Sequence, residues 1–504
     1  MRGGGVALVL LLASGAAAGH AAGRLDLIEA VKAGDRDAVR VLTRQRSALE
    51  ATEPDGTSAL HWAVRGGDHA VTNLLLRAGA NANAATRYGV TPLSLAARNG
   101  DAGLIRRLLG AGARVQAAEA ALPEHQTLLM LAAPTGNVAA LEALLAGGSN
   151  PNGRESRTGT TAVVWAASSN RGEAVRTLVA RGADPNVVST VTAYPHTQAG
   201  VLLTGLEEGV SYVGQTVLPK GGWSAVMYAA REGAVDAVRA LAESGANLDL
   251  ADPEGTTALI IGVINGHAEV VSALLDKGAN PNLADIKGMT PLYAAVDMHT
   301  IANTFGRPYP PRDVIEGSVG MAARLLAAGA NPNARLKAPI LKRVYDAGDG
   351  RLGEGSTPLM RAARKCDAVM MKLLLEAGAD VSLAQKTGNT ALILCAGAVS
   401  AGDGEDNPER VSEQEALAAI RLALDAGADV NTASNNGDTA LHTAASTAGG
   451  LPSVIRLLVE RGGRLDVKNK AGRTPLDAAL RARQRNEQTI ALLRELGGVA
   501  SDQR

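Results

Sequence analysis

The sequence is poor in what most folded chains of its size use to hold themselves together. Its 504 residues include two cysteines, one phenylalanine, three tryptophans and seven tyrosines, so aromatics make up 2% of a chain whose hydrophobic share is 46%. Two cysteines exclude a disulfide framework, and so few rings exclude cores centred on large aromatic side chains. Excess charge is also missing: 50 basic residues balance 50 acidic ones. That balance removes any global attraction to nucleic acid or to an anionic membrane and leaves only local electrostatics. No HExxH, CxxC, GxSxG or Walker A pattern occurs, so the strong enzyme signatures are absent.

The one apolar run that stands out is short and lies at the start. Arg2 precedes the stretch Val6 to Ala13, and small residues then offer cleavage after Ala18 or Ala21. This is the pattern of a secretory signal peptide over 1–21, too short to span a bilayer. With no cysteine near the cleavage sites, a lipoprotein anchor is not expected. The mature chain is expected to be exported, periplasmic or secreted, monomeric, and not inserted in a membrane.

What the sequence does have is a repeat. The segments "GTSALHWAVRGGDHAVTNLLLRAGANAN" (56–83), "GTTALIIGVINGHAEVVSALLDKGANPN" (255–282) and "GSTPLMRAARKCDAVMMKLLLEAGADVS" (355–382) align without gaps. Units start at 56, 89, 125, 159, 222, 255, 288, 355, 388, 437 and 472, several of them 33 residues apart. Each opens with a Ser or Thr able to cap a helix N-terminus, from Ser58 and Thr91 to Thr439 and Thr474. Pro follows at 92, 291, 358 and 475, where a first-turn proline forfeits no helical hydrogen bond. Alanine pairs such as Ala96-Ala97, Ala229-Ala230 and Ala362-Ala363 come next, small enough for neighbouring helices to approach closely. A second amphipathic helix, carrying Leu74 and Leu75 in the first unit, stops at a glycine suited to a left-handed turn, as at Gly79, Gly112 and Gly245.

The 33-residue period and the "TPLxxAA" core resemble the ankyrin-repeat family over nearly all of the mature sequence, and the leader adds a resemblance to exported bacterial ankyrin arrays. The resemblance implies an all-α repeat solenoid, each unit a hairpin plus two antiparallel helices, that binds other proteins through hairpin tips and the first-helix face. The expected order is a capping helix pair at 24–54, units over 56–189, an insertion at 190–221, units over 222–298 with the last interrupted by 299–316 and completed at 317–337, an insertion at 338–354, units over 355–471 interrupted by 399–414, and a closing cap at 472–498. The closing segment is rich in Arg, Glu and Gln and lacks the regular second-helix pattern.

The interruptions concentrate the scarce aromatics: Tyr194, Tyr212, Phe305, Tyr309 and Tyr345 all lie in them. Such rings supply contact area at binding hot spots or fasten a loop to the solenoid, and both readings stay open. The position after the alanine pair is basic in Lys32, Arg65, Arg98, Arg231, Arg364 and Arg481, a discontinuous stripe suited to an acidic protein segment. Glu232 and Asp297 break its field. Candidate partner-binding residues are therefore this stripe with Trp223, Phe305, Tyr309 and Tyr345, centred on 222–382, where three insertions border or interrupt the array. His61 and His442 occupy the "TPLH" position, where a structural hydrogen bond is expected. Whether Cys366, in an interhelical turn, bonds Cys395, at a small buried position, is left open.

The leading expectation is a non-catalytic scaffold for a protein partner, with no nucleic acid, no cofactor and no metal. Two alternatives remain: a loop-built hydrolase or metal-dependent sensor using Asp346 and Asp349, and a structural spacer without a ligand.

Overall fold

Helices of six to nine residues are too short to persist alone, so each depends on its cap and on the neighbours it packs against. The computed structural model describes residues 27–192, 221–300, 312–339, 352–398, 411–447, 451–482 and 485–501. Among them the architecture is an all-α repeat solenoid, with hairpin pairing reduced to isolated bridges such as Thr52 to Ser58 and Ala384 to Thr390. No helix among the described residues is long and apolar enough to cross a membrane.

The chain divides into two compact units, residues 1–193 with 219–248 and residues 194–218 with 249–504. In the first unit the first helices Ala59–Arg65, Pro92–Arg98, Leu128–Ala132, Ala162–Ser168 and Ala225–Arg231 stack in order, each against the next. Their partners His69–Arg77, Ala102–Gly110, Val138–Ala146, Gly172–Ala180 and Val235–Glu243 form the second row. In the second unit the first helices are Ala258–Ile264, Pro291–His299, Pro358–Ala363, Ala391–Ala396, Ala440–Ser446 and Pro475–Leu480. The alanine pairs at 96–97, 229–230 and 362–363 are fully buried where these helices meet, and Leu75 is buried while Leu74 flanks it half-exposed.

The capping chemistry follows the sequence in most units. The Thr91 hydroxyl accepts from the Ser94 backbone N–H at 3.1 Å, and the Thr290 hydroxyl from that of Tyr293 at 3.2 Å. Thr161 is an exception: its buried hydroxyl has no partner among the described residues. His61 makes the expected structural bonds, with Nδ1 2.8 Å from the Ser58 hydroxyl and Nε2 3.0 Å from the Val90 carbonyl. His442 repeats them with Thr439 and Arg473.

Gly89 shows why the unit opens with glycine. Its φ is +75°, and a β-carbon there would lie 1.7 Å from the Ala121 carbonyl oxygen. That carbonyl belongs to a departure from the regular unit, because residues Val115–Ala121 form an additional helix where a hairpin strand was expected.

Helix Arg312–Ala327 starts inside the tract assigned to 299–316, and Glu413–Asp425, capped by Ser412, starts inside 399–414. The closing segment carries a full second helix, Glu487–Glu495, with Ile490, Leu492 and Leu493 buried; Asn486 caps it despite the Arg-rich approach. At 190–221 the chain leaves and returns at one hairpin, where the Ser189 N–H donates to the Trp223 carbonyl at 2.9 Å and the Gly222 N–H to that of Ser189 at 3.1 Å. The Leu336 N–H likewise donates to the Ser356 carbonyl at 2.9 Å across the 340–351 tract. Closing an inserted loop on a bonded base costs only about 0.6 kcal/mol per doubling of its length.

Candidate functional site

Six residues past each unit start, the first helix presents a side chain beside the alanine pair. In the first unit this register holds Trp62, Leu95, Leu131, Trp165 and Tyr228; the two tryptophans, Leu95 and the tyrosine are half-buried. Composition announced the scarcity of rings, but only the repeat register brings them to one face. The signal was legible in retrospect: all three tryptophans, at 62, 165 and 223, lie in this unit.

Trp62 is held on several sides. Its indole N–H donates to Glu53 Oε2 at 3.0 Å, while Lys32 Nζ lies 4.9 Å and the Arg65 guanidinium 5.2 Å from the ring centroid. Both cations sit within cation–π range. Lys32 also pairs with Glu53 at 2.7 Å and Glu29 at 3.0 Å. The hydrogen bond to Glu53 raises the Lys32 pKa and lowers that of Glu53, so both stay charged.

Trp165 is fixed by a relay instead. Its indole N–H donates to the Thr160 hydroxyl at 3.1 Å, and Thr160 contacts the buried Glu155 carboxylate at 3.2 Å. Glu155 also accepts from the backbone N–H groups of Arg157 at 2.7 Å and Thr158 at 2.6 Å, and from the Thr158 hydroxyl. Burial pushes the Glu155 pKa up, but these donors outweigh it and leave the carboxyl below its ordinary range.

Tyr228 forms the third cluster. The Trp223 ring meets it edge-on with centroids 5.5 Å apart, and the Arg231 guanidinium lies 5.3 Å from the tyrosine centroid and 5.5 Å from the tryptophan. Arg231 also pairs with Glu232 at 2.7 Å. Tyr88, exposed at a hairpin tip and stacked by Arg87 at 4.7 Å, is a further ring that sequence reasoning passed over.

The second unit fills the same register differently. Ile261, Ala294, Arg361 and Leu394 are buried there, followed by the small, half-buried Thr443 and Ala478 in the last two repeats. Arg361 Nε pairs with Asp297 at 2.6 Å, so the acidic residue on the stripe is tied to the neighbouring repeat. His299 Nδ1 contacts the Asp367 carboxylate beside it.

The basic stripe is thus less uniform than its sequence pattern. Lys32 and Arg231 are paired with carboxylates, Arg65 flanks a ring, and Arg98 is exposed without an ion pair among the described residues. Arg364 is half-buried at a helix C-cap, and Arg481 is exposed at the end of Pro475–Leu480. Of the other candidates, Trp223 lies in the Tyr228 cluster, whereas Phe305, Tyr309 and Tyr345 lie outside the described residues, as do Tyr194, Tyr212, Asp346, Asp349 and the 1–21 leader. Among the described residues no group of three His, Cys, Asp or Glu side chains is arranged to hold a metal.

Paired short helices stacked in two rows, with a glycine-led hairpin before each pair, define a helical-repeat solenoid. Models of ankyrin repeats match residues 27–119, 96–189, 202–285, 226–304 and 410–501, and a single ankyrin repeat matches 354–386. The chain belongs to the ankyrin repeat family, whose repeats are generally protein–protein interaction modules. Similar solved structures include the human ASB11 ankyrin repeat domain, at 21% identity over 54% of this chain and 98% of that one with a TM-score of 0.37. The ankyrin repeat domain of Bcl-3, an IkappaB family member, is 24% identical over 52% of this chain and 98% of that one, also with a TM-score of 0.37. No curated protein sequence matches the chain.

Proposed function

We propose that the protein is an exported, non-catalytic interaction scaffold that takes a protein partner on the first-helix face of its first unit. The observation that carries this reading is the Trp62 ring, half-exposed between Lys32 and Arg65 with its N–H anchored on Glu53. An anchored ring loses little freedom on binding, which favours it as a contact residue. Arg65 and Arg231 beside the rings, with Arg98 exposed on the helix Pro92–Arg98, suit a segment that pairs apolar side chains with carboxylates. Export rests on the leader pattern of residues 1–21. The aromatics of the inserted tracts, Phe305, Tyr309 and Tyr345, are separate candidate contact residues by their composition, and the array acts as a monomer.

The test is capture from the native cell envelope with residues 24–504, in parallel with Trp62→Ala/Tyr228→Ala. The recovered partner, titrated against both proteins, should bind the variant at least about tenfold more weakly, with the unfolding of the second unit unchanged. Equal affinity would remove this face from the binding site. A third protein, with 299–316 replaced by a short turn, separates the insertion's contribution from that of the face.

A further inference from the structure

We propose that Cys366 and Cys395 form a modification site: an inter-repeat disulfide that closes when the folded protein meets a small-molecule disulfide. Helices Pro358–Ala363 and Ala391–Ala396 are the first helices of adjacent repeats and pack together. Cys395 lies on the second and is fully buried, its Sγ 3.1 Å from the Ala363 carbonyl oxygen. Cys366 lies in the turn after the first, 3% exposed, its Sγ 3.6 Å from the Cys395 carbonyl oxygen. Each thiol reaches the segment that carries the other, across a separation of 29 residues. Both are free thiols in the structure.

The backbone adds a second observation. Eleven residues past the unit start, other repeats place Gly67, Gly100, Gly136, Gly233 and Gly266, all with positive φ. Cys366 occupies the same place with φ of 51°, a left-handed conformation that is strained for a residue with a β-carbon. The turn therefore aims a thiol at the next repeat from a position where five other repeats carry glycine and no side chain. Hydrogen bonding with Cys366, and then burial, push the Cys395 thiol pKa up, and Cys366 is the residue nearer the surface, so the exchange begins at Cys366.

The chemistry balances with one external disulfide. The Cys366 thiol loses its proton to solvent, and the thiolate attacks one sulfur of the small molecule, forming a mixed disulfide and releasing one small-molecule thiolate. The Cys395 thiolate, its proton also lost, then attacks Cys366 Sγ and expels the second. Two cysteines lose two electrons and two protons, and one disulfide is reduced to two thiols. The product covalently joins neighbouring repeats of the second unit, and an exported location is one in which such a bond persists.

The experiment uses the full chain, reduced and then equilibrated with mixtures of oxidised and reduced glutathione, both folded and in urea, followed by alkylation and peptide mass mapping. The expected result is an intramolecular 366–395 cross-link, two hydrogens lighter, formed at least about tenfold more favourably in the folded chain than in urea. Cys395→Ser should stop at a mixed disulfide on Cys366. The proposal is overturned if the cross-link is no more favourable in the folded chain, or if both cysteines remain alkylatable in mixtures that oxidise the urea-unfolded chain. Because the comparison is made on the native sequence, it does not depend on how the variant folds.

Discussion

One register of one repeat, six residues into the unit, holds half-buried tryptophan, leucine and tyrosine at four of its five places in the first compact unit, and buried isoleucine, alanine, arginine and leucine through residues 261–394 of the second. The backbone element is the same in both. The difference lies in what the hairpin offers. Where Glu53 or Thr160 receives an indole N–H, a large ring is fixed at the surface; where the side chain is Arg361, the neighbouring helix answers with Asp297 and the position closes. A repeat fold can therefore separate adhesion between its own units from display toward a partner without altering its period.

The sharpest way to break this comparison is to open the closed position. Arg361→Ala leaves Asp297 without its guanidinium and should destabilise the second unit by about 2–3 kcal/mol, less than for a fully buried pair because Asp297 retains solvent access. Arg361→Met combined with Asp297→Ala should recover most of that loss, since removing both charges leaves neither stranded. Amide hydrogen exchange along Pro291–His299 and Pro358–Ala363 reads the effect locally. If the single and double variants exchange alike, the pair is not what closes this register.

Acid separates Glu155 of the first unit from Asp285 and Glu254 of the second by sign. Glu155 in the first unit has a folded pKa below its unfolded value, so its contribution is fully present above about pH 4.3 and is lost as pH falls through the folded value. In the second unit burial raises Asp285, against bonds from the Met289 and Lys287 backbone, and burial with the charges of Asp252 and Asp285 raises Glu254. There the native state binds the proton more tightly, so stability rises as pH falls through the folded value toward the unfolded one. Glu155→Gln should cost about 1–2 kcal/mol at pH 7, a penalty that shrinks on acidification. Asp285→Asn should be neutral or stabilising at pH 7, and that gain should vanish in acid. Urea midpoints of each variant between pH 7 and 3 decide it; parallel pH profiles for the two would falsify the assignment.

A smaller effect tests whether the third cluster is cooperative. Trp223 and Tyr228 meet edge to face, and a double-mutant cycle to leucine should give a coupling of about 1 kcal/mol. A coupling near zero in the first unit's urea unfolding would make the two rings independent contact residues.

The period, the capping residues, the alanine pairs and the glycine stops were legible because each is a local necessity of the backbone. Gly79, Gly112 and Gly245 take the positive φ that their place in the unit demands. The site was legible only in part. Arg65 and Trp223 were singled out, but one by charge and the other by position, and nothing local links Trp62 to Lys32, thirty residues earlier. Basic residues at equal spacing look alike in a sequence, yet carboxylates such as Glu53 and Glu232 arrive from hairpins and helix ends and set them apart. Helices Arg312–Ala327 and Glu413–Asp425 start inside the tracts assigned to insertions and are longer than the repeat requires, so the period alone does not place their starts.

The turn motif after each glycine stop shows how much a polar pattern conceals. "A-[DN]-x-[ND]" reads as loop chemistry, but its last residue fastens one repeat to the next. Asn83 Nδ2 donates to the Gly112 carbonyl at 2.8 Å while its Oδ1 accepts from the Arg114 N–H at 2.9 Å. Asn333 does the same with Gly378 and Asp380, and Asn431 with Gly462 and Arg464. At 382 the residue is serine, whose hydroxyl turns back to Asp380 at 2.6 Å. Ser382→Asn should restore the pair of bonds toward the next repeat and stabilise the second unit by about 0.5–1 kcal/mol. Asn83→Ala in the first unit should lose a similar amount. Slower amide exchange at Asp429 in the first variant, alongside a raised urea midpoint, is the expected readout. An unchanged midpoint would mean that the ladder reports the alignment of the repeats without contributing to their adhesion.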